Sequence, residues 1–397
     1  MIWTSDTVNA LGLYRMVGRI IGIWPIDHTC TLPKIKMAFV IITLMWMCID
    51  LIKQLVAKGS CGTVTEIVDL ISFFTCGWLS VMKLIALRTH EKYIFEIMNS
   101  AIKDWVKLNN RTSRSIMLQY ASIGRTVFIS QAIGYCCSIV FLISSHLPSI
   151  TTLRDSPMNS TVTINGLPLW SECWIPVGIS MPQYAIQFIL QSFILAVLDI
   201  CYSSCDSYFF GMAMHLCGQL EVLSMYFEDL YEIDNFEVQT CHLIQFVKRH
   251  QHLLLLTNML EKAYNFIILI HVGVATMIIC VSGIVLLMSL ETSNFNVIGD
   301  MLLRIVLTYL QLFMYCYAGE QLSSQAMKLE NTIYNCPWYD MPPDSVRSMS
   351  FVIMRCRYPS NLTAGKIYCM NFQNFVNIIK TTTSYFSVIR LLLKGNR

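Results

Sequence analysis

The hydrophobic positions of this chain gather into seven runs, separated by more polar connections. An α-helix rises about 1.5 Å per residue, so roughly 20 apolar residues cross the hydrocarbon core of a bilayer. The pattern therefore predicts seven membrane-spanning helices, at about residues 37–52, 67–87, within 126–147, 183–210, 264–290, 297–318 and 370–393. Within the sixth span, Asp300 and Arg304 are one helical turn apart and are expected to pair.

Two further stretches show the 3.6-residue period of amphipathic helices. Residues 211–263 alternate leucine and aromatic positions with acids, so spans four and five are predicted to continue as helices outside the bilayer. Near the start, apolar residues share one helical face, and two arginines lie on the opposite face. The apolar residues are Leu13, Tyr14, Val17, Ile21 and Trp24, the arginines are Arg15 and Arg19, and the segment ends at Pro25. This segment fits equally a helix in the membrane interface and a short helix packed on cytoplasmic protein.

The last span is more polar than a simple anchor requires. At about 100° per residue, Thr381, Ser384, Val388 and Leu392 fall on one helical face. Such a face suits a helix that lines water, with Thr381 and Ser384 along a pore and Val388 and Leu392 closing it by dewetting. One helix cannot enclose a pore, so this interpretation needs several copies. The alternative is that both aliphatic side chains face lipid or pack on other helices.

The composition is that of a membrane protein. Charged residues make up 13% of the chain and hydrophobic residues 55%, and the mean hydropathy is +0.53. A formal net charge of +3, without a basic run interleaved with aromatic residues, indicates no nucleic-acid partner. The 16 cysteines are scattered through apolar runs without CxxC pairs, so no metal site or other cofactor is predicted. The first residues lack the pattern of a cleaved signal peptide.

The lysines and arginines indicate the orientation of the spans. They concentrate in the tail before span one and in the connections after spans two, four and six, with Lys83 counted in the first of these connections. Because basic residues favour the cytoplasmic side, the N-terminus is predicted to be cytoplasmic. Of the sequons at Asn110, Asn159 and Asn361, Asn159 alone is then outside and expected to carry a glycan. The same orientation places Cys61 and Cys173 outside, where they either form a disulfide bond or remain separate thiols.

The end of the chain carries several motifs in a specific order. The run YCYAGEQLSSQAMKLENTIYNCPWYDMPP is followed by RYPSNLTAGKI and then by TTTSYFSVIR. Together these motifs resemble the C-terminal signature of insect odorant receptors, with Gly-Glu after an aromatic helix end, Trp-Tyr-Asp before prolines, Ala-Gly-Lys, and Ser-Tyr-Phe near the terminus. The resemblance is strong over residues 315–397, and elsewhere it extends to length and layout.

The resemblance implies a fold and an activity. The fold is an all-α membrane protein with seven transmembrane helices, a cytoplasmic N-terminus, cytoplasmic helices that form an anchor region, and a C-terminal pore helix. The activity is that of the odorant-binding subunit of an odorant-gated, non-selective cation channel, a heterotetramer in the plasma membrane of olfactory sensory neurons. The implied partners are the odorant receptor co-receptor, a small volatile organic ligand, membrane lipid, and monovalent and divalent cations. On the Ser-Tyr-Phe pattern, Val388 and Leu392 match the family's hydrophobic gate.

The chain is accordingly expected to have six parts. They are a cytoplasmic tail with the interfacial helix (1–36), spans one to four with an outer loop at 148–182 (37–210), a cytoplasmic helical extension (211–263), spans five and six (264–318), a cytoplasmic anchor region (319–369), and the pore helix with an extracellular C-terminus (370–397). In the anchor region, Trp338, Tyr339 and Asp340 are the candidate wedge between subunits. The alternative is a well-packed turn within one subunit.

The resemblance also places the ligand cavity in the outer half of the bundle, between spans two, three, four and six. Small apolar odorants need a cavity lined by aliphatic and aromatic side chains with few polar groups. The candidates in that half are Phe73, Phe74, Trp78, Gln131, Gly134, Tyr135, Ser138, Ile189, Phe193, Leu302, Ile305 and Tyr309. Taken singly, each of them is more readily explained as core packing.

Other functional classes lack their motifs. A G-protein-coupled receptor would have an outside N-terminus, Asp-Arg-Tyr after span three and Asn-Pro-x-x-Tyr in span seven, and a transporter would show internal repeats or broken helices. Catalytic motifs are absent, so the chain is not expected to be an enzyme. His250 and His252 are expected on a solvated or subunit-contacting face, and His271 is expected to be packed. The remaining alternative is a gustatory-type or other seven-span receptor that signals through a partner without conducting ions.

Overall fold

The computed structural model describes residues 3–27, 31–57, 64–108, 110–145, 167–170, 180–230, 235–357 and 361–395. Within these residues the fold is helical, as predicted. The helices are α1 (Ser5–Ile21), α2 (Thr31–Ala57), α3 (Val64–Thr89), α4 (Glu91–Lys107), α5 (Arg111–Ser145), α6 (Met181–Leu230), α7 (Phe236–Thr292), α8 (Phe295–Tyr334), α9 (Pro343–Cys356) and α10 (Phe372–Gly395). Short 3-10 turns lie at Pro25–Asp27 and Trp338–Asp340, and a hairpin pairs β1 (Thr363–Ala364) with β2 (Tyr368–Cys369).

Six of the described helices are long and apolar enough to cross a membrane, judged by length and composition. They contain the first six predicted spans, at Thr31–Val56, Glu66–Thr89, Arg111–Ser144, Met181–Leu230, Phe236–Glu291 and Val297–Tyr334. The seventh predicted run corresponds to α10, which is not among these six. The side chains of this helix are described only over residues 372–387, which is too short a stretch for this judgement, so the seventh span stays a prediction.

The helices α6 and α7 are much longer than a bilayer is thick. They have 50 and 57 residues, which correspond to about 75 Å and about 85 Å at about 1.5 Å per residue. The hydrocarbon core of a bilayer is about 30 Å thick. Both helices run unbroken through the predicted borders at 210/211 and 263/264, so both spans continue as helices beyond their most apolar segment.

The first helix packs on the rest of the protein along one face. The side chains of Tyr14, Ile21 and Trp24 are buried in the main hydrophobic core. The ring of Tyr14 lies where α5 and α6 approach each other, because a Cβ added at Gly211 would come within 2.6 Å of its Cζ, and one at Gly124 within 2.9 Å of its hydroxyl. Glycine at both positions therefore makes room for this ring.

Asp104 of α4 ties α4 to α6 and α7. Its carboxylate lies 2.8 Å from the guanidinium of Arg249 and 3.4 Å from Nε2 of His215. Burial alone would raise the pKa of Asp104, but hydrogen bonds and charge from His215 and Arg249 outweigh burial and hold that pKa below its ordinary value. The carboxylate is therefore charged at neutral pH and holds the three helices together.

The predicted solvated or subunit-contacting face is wrong for His250. This side chain is buried within its own chain, where its ring stacks on Phe246 and its Nε2 lies 3.7 Å from Sγ of Cys356. Packing of α9 against α7 covers it, and the sequence near His250 contains no sign of that distant helix. The neighbouring His252 instead contacts the hydroxyl of Ser100 at 3.0 Å.

The hairpin between α9 and α10 gives the Ala-Gly-Lys motif a structural role. Gly365 and Lys366 both have positive φ, of 60° and 61°, and the amide of Ile367 donates to the carbonyl of Ala364 at 3.1 Å. Consecutive left-handed residues form the tight turns that connect antiparallel strands and favour glycine. The amide of Gly365 also donates to the carbonyl of Asn265 at 2.9 Å, so the turn is fixed to α7.

Candidate ligand cavity and terminal helix

A cavity lies inside the helical bundle, among α3, α5, α6, α7 and α8. Four of these helices, α3, α5, α6 and α8, contain the predicted spans two, three, four and six. The space open to the centre of a water molecule is about 140 Å³. An apolar cavity of about that size holds a molecule such as benzene.

Three of the predicted ligand-binding residues line this cavity: Phe73, Tyr135 and Ser138. The other lining residues are Ser72, Cys76, Ile139, Leu142, Leu195, Leu198, Asp199, Tyr202, Ile278, Asp300, Arg304, Leu307, Thr308 and Gln311. Sequence reasoning missed the charged members of this set as ligand residues. The available signal was a charged side chain within an apolar span, which marks a functional position in membrane helices.

Four predicted residues do not reach the cavity. Trp78, Ile189, Phe193 and Leu302 are exposed on the outer surface of their helices. Ile189 and Phe193 are one helical turn apart and share a face, whereas Leu195 and Leu198 of the same helix line the cavity. The outer face of a membrane helix contacts lipid, which is as apolar as the core.

The remaining five candidates are partly buried without lining the cavity: Phe74, Gln131, Gly134, Ile305 and Tyr309. A Cβ at Gly134 would lie 3.0 Å from the side chain of Leu307, which does line it. The amide oxygen of Gln131 accepts from Ser207 at 2.7 Å, and the hydroxyl of Tyr309 contacts that of Thr382 at 2.6 Å. Gly134 therefore lies directly against a lining side chain, whereas Gln131 and Tyr309 bond to residues that do not line the cavity.

The predicted pair of Asp300 and Arg304 is confirmed, and it belongs to a larger cluster at the cavity. The guanidinium of Arg304 lies 2.9 Å from the carboxylate of Asp300 and 2.6 Å from that of Asp69 on α3. It also donates to the hydroxyl of Ser72 at 3.0 Å. The cluster therefore fixes α8 against α3 on one side of the cavity.

Lys83 lies inside the bundle, which corrects its assignment to the basic connection after span two. Its side chain is 0% exposed, and its ammonium lies 2.7 Å from the carboxylate of Asp206 and 4.3 Å from the centre of the Tyr202 ring. A buried charge needs such a partner because its transfer from water is costly. Lys83 therefore says nothing about which side of the membrane the connection occupies.

The Lys83 and Asp206 pair is linked to the cavity by hydrogen bonds. The amide of Gln311 and the hydroxyl of Tyr315 both donate to the carboxylate of Asp206. The amide oxygen of Gln311 accepts from the hydroxyl of Tyr135 at 3.1 Å, and both of these residues line the cavity. A ligand there would contact side chains directly connected to the buried ion pair.

Helix α10 presents two different faces. One face packs on α7 and α8, where Ile378 and Thr382 are buried and Phe386 lies against Gly283. The opposite face is exposed and polar, and it contains Asn377, Thr381 and Ser384. The predicted gate residues lie further along the same helix, but their side chains are outside the described residues; these are Val388 and Leu392.

The start of α10 is fixed to α8 by the Gly-Glu motif. The carbonyl of Met370 packs directly on Gly319, where any Cβ would overlap its oxygen. The carboxylate of Glu320 then accepts from the amide of Phe372 at 3.2 Å, and the side chain of Asn371 accepts from the amide of Asn374 at 2.8 Å. An acid and an amide oxygen at a helix start satisfy its free N–H groups and interact favourably with its dipole.

The Trp-Tyr-Asp turn leaves its aromatic rings exposed. Tyr339 is 72% and Trp338 42% exposed, and Asp340 of the same 3-10 turn is also exposed. This exposure argues against a well-packed turn within one subunit. Three other predictions fall on Asn159, Cys61 and Cys173, which lie outside the described residues.

The described residues contain no group of three or more His, Cys, Asp or Glu side chains that could hold a metal ion. The cavity is lined by apolar side chains together with polar and charged ones. This arrangement can enclose a small organic molecule and orient one polar group.

Six described helices are long and apolar enough to cross a membrane, and several of them surround a partly open cavity, which is the arrangement of a multi-pass membrane protein. The model of the family described as 7tm odorant receptor matches residues 63–383. The chain therefore belongs to the insect odorant receptors, which are membrane proteins of olfaction.

Its relatives include both odorant receptors and co-receptors. Odorant receptor 22c of Drosophila melanogaster is 23% identical over 275 residues, which are 63% of this chain and 67% of that protein. Odorant receptor 13a of the same species is 25% identical over 194 residues, 44% of this chain and 46% of that one. The odorant receptor coreceptor of Ooceraea biroi is 22% identical over 144 residues, 36% of this chain and 30% of that one. The chain thus spans less than half the length of two of these three relatives.

The fold is shared with the insect olfactory receptor OR5 from Machilis hrabei. The structure of that receptor in complex with eugenol matches with a TM-score of 0.75 and 14% identity, over 98% of this chain and 100% of that one. The structure of the same receptor, matched at 15% identity, gives the same TM-score over 96% of this chain and 99% of that one.

Proposed function

We propose that this chain is the odorant-binding subunit of a heteromeric, odorant-gated, non-selective cation channel. In this proposal a small volatile molecule binds the cavity among α3, α5, α6, α7 and α8. Binding favours the open arrangement by the difference in affinity between open and closed states. The cavity itself carries the proposal, because its size and apolar wall fit such a ligand, and its neighbours link it to the centre of the bundle.

The terminal helix is proposed as the seventh span and as the lining of the pore. The exposed face with Thr381 and Ser384 supports this role, since its hydroxyls bond to carbonyls of their own helix and stay exposed in the described part of the chain. Val388 and Leu392 would then form the hydrophobic gate. Several chains must contribute such helices, and Trp338, Tyr339 and Asp340 are proposed to contact a neighbouring subunit. Matches to coreceptors support the odorant receptor co-receptor as the partner.

The proposed arrangement has a cytoplasmic N-terminus and lies in the plasma membrane of olfactory sensory neurons. Residues 211–263 and 319–369 would lie inside the cell, and the loop at 148–182 outside, with a glycan on Asn159. Permeation would be weakly selective among monovalent and divalent cations, because the described stripe on α10 offers neither a ring of carboxylates nor a carbonyl filter.

The proposed function predicts a current that requires both the chain and a volatile ligand. Cells expressing this chain with a co-receptor should give odorant-evoked cation currents, and cells with the co-receptor alone should not respond to the same odorants. Excised membrane patches should retain the response, because ligand and pore belong to one complex. A response that is lost on excision and depends on intracellular messengers would instead favour the non-conducting receptor.

Accessibility along α10 should follow the two faces of the helix. In Thr381→Cys and Ser384→Cys, a charged thiol reagent applied to open channels is expected to reduce the current, because both positions are exposed on the polar face. Thr382→Cys is the matched control, since Thr382 is 1% exposed and contacts Tyr309. The unmodified chain gives the background from its native cysteines. Inhibition at position 382 without inhibition at 381 and 384 would place the pore on another face.

A further inference from the structure

The polar side of the cavity contains a carboxylate that is incompletely bonded. Asp199 of α6 lines the cavity, and its Oδ1 is buried without a hydrogen-bond partner in the described part of the chain. The neighbouring polar groups have partners. Ser72 and Thr308 donate to carbonyls of their own helices at 2.7 and 2.8 Å, and the hydroxyl of Tyr135 donates to Gln311 at 3.1 Å. A ligand with an N–H donor would satisfy Asp199.

Within the described residues, both basic side chains near the cavity are already paired with carboxylates. Arg304 lines the cavity, but its guanidinium lies between the carboxylates of Asp69 and Asp300, at 2.6 and 2.9 Å. The nearby Lys83 is paired with Asp206 at 2.7 Å. With Asp199 added, the described residues in and next to the cavity include four carboxylates, of Asp69, Asp199, Asp206 and Asp300, and two basic groups, of Lys83 and Arg304. A charge buried in an apolar surrounding is costly unless it is paired, so a cationic ligand would be stabilised and an anionic one excluded.

The apolar residues of the lining form an apolar wall of the cavity. Phe73, Ile139, Leu142 and Leu195 supply aromatic and aliphatic surface. The volume of about 140 Å³ fits a short hydrocarbon chain or a single ring. An aliphatic amine has a basicity close to that of the lysine side chain, whose pKa is about 10.4, and it is therefore charged at neutral pH.

We infer that the ligands of this cavity are small volatile amines, bound as ammonium ions. The ammonium donates a hydrogen bond to Oδ1 of Asp199 while the hydrocarbon part lies on the apolar wall. A hydrogen bond between an ammonium and a carboxylate is roughly twice as strong as one between neutral groups. A neutral alcohol of equal shape also donates one hydrogen bond but leaves the carboxylate charge unpaired. This inference rests on the proposed function and adds the chemical class of the ligand.

The test compares ligands that share a carbon skeleton. Cells expressing the chain with a co-receptor are exposed to pentylamine, 1-pentanol and pentanal, and to benzylamine, benzyl alcohol and toluene. The half-maximal concentration for each amine is expected to be at least about 10-fold lower than for its neutral partners, in line with a charge-assisted bond in an apolar site. An amine no more potent than its neutral partners overturns the inference.

The variant Asp199→Asn keeps the shape of the side chain and removes its charge. It is expected to raise the half-maximal concentration of the amines by about 10-fold or more and to leave that of the alcohols within about 3-fold. Asp229→Asn is the matched control, because Asp229 is exposed on the same helix and does not line the cavity; its responses should not change. Asp199→Glu, which keeps the charge, should retain the preference for amines.

The outcomes separate the inference from the function on which it rests. Currents evoked by neutral volatiles without preference for amines, or an equal loss of all responses in Asp199→Asn at normal surface expression, overturn the amine class and leave the odorant-gated channel standing. If no volatile in either series evokes a current from chains present at the surface, the proposed function is overturned together with the inference. If Asp199→Asn is not expressed, the ligand series on the unchanged chain decides.

Discussion

Asp206→Leu is expected to remove most of the folded protein from the cell surface. The substitution leaves the ammonium of Lys83, which is 0% exposed and 2.7 Å from the Asp206 carboxylate, without its partner. Breaking a buried ion pair from one side typically costs about 3–5 kcal/mol, which is a large part of the roughly 5–15 kcal/mol that stabilises a folded domain. The measurements are surface labelling of cells and the thermal unfolding of detergent-solubilised protein.

A double variant and an exposed ion pair provide the controls. Lys83→Met combined with Asp206→Leu should have a higher surface level than either single variant, because an apolar pair avoids the unpaired charge. The recovery should be partial, since Gln311 and Tyr315 lose the carboxylate to which they donate. Glu91→Leu breaks the pair with Arg88 at 2.8 Å, which is partly exposed, and should cost no more than about 1 kcal/mol. Equal effects of Asp206→Leu and Glu91→Leu would contradict this role of the buried pair.

Gly319→Ala is expected to displace the start of α10 and to abolish most of the odorant-evoked current. The new Cβ would overlap the carbonyl oxygen of Met370. That backbone cannot move freely, because the amide of Met370 donates to the carbonyl of Leu362 at 2.9 Å and its side chain is buried. Overpacking at such a contact typically costs about 1–3 kcal/mol. The measurements are current amplitude per chain at the surface and thermal unfolding.

Gly299→Ala is the matched control on the same helix. A Cβ added at Gly299 meets no atom within 4 Å in the described part of the chain. The control should therefore fold and conduct normally, with a small gain of up to about 1 kcal/mol because alanine favours the helix over glycine. Indistinguishable behaviour of the two variants would mean that the contact between Gly319 and Met370 is not required.

The Asp206→Leu and Gly319→Ala predictions concern two different contacts within the helical bundle. The ion pair stabilises the centre of the bundle, where Gln311 and Tyr135 connect it to the cavity. The Gly319 contact stabilises the junction from which α10 begins. A ligand in the cavity and a pore along α10 would therefore be joined through α8, which supplies Gln311 to the cavity and Gly319 to the junction.

Local features of the sequence were predictable because their causes lie within a few residues. The helical period places Asp300 and Arg304 on one face at any helix orientation, and their pairing is confirmed. The polar stripe with Thr381 and Ser384 follows from the same period, and the structure leaves it exposed. Gly-Glu and Ala-Gly-Lys were recognised as motifs, although their contacts with Met370 and Asn265 were visible only in the structure.

For the candidate cavity, the sequence predicted most of the helices that line it but only some of the individual lining residues. The cavity lies among the four helices that the resemblance named and is also lined by Ile278 of α7, and Phe73, Tyr135 and Ser138 do line it. Trp78 and Ile189 instead lie on outer faces. Lipid is as apolar as a protein core, so hydrophobicity does not distinguish the two faces of a membrane helix.

The sequence by itself determined the helical fold, the apolar spans, the long continuations of α6 and α7, and the family, because these depend on composition, short-range period and local motifs. The tertiary structure decided which charges meet. Lys83 and Asp206 are 123 residues apart, and Arg304 and Asp69 are 235 apart. It also decided that α9 buries His250 and that Asp199 lines the cavity. Contacts of this kind depend on the rotation and packing of separate helices, which the period along one helix does not specify.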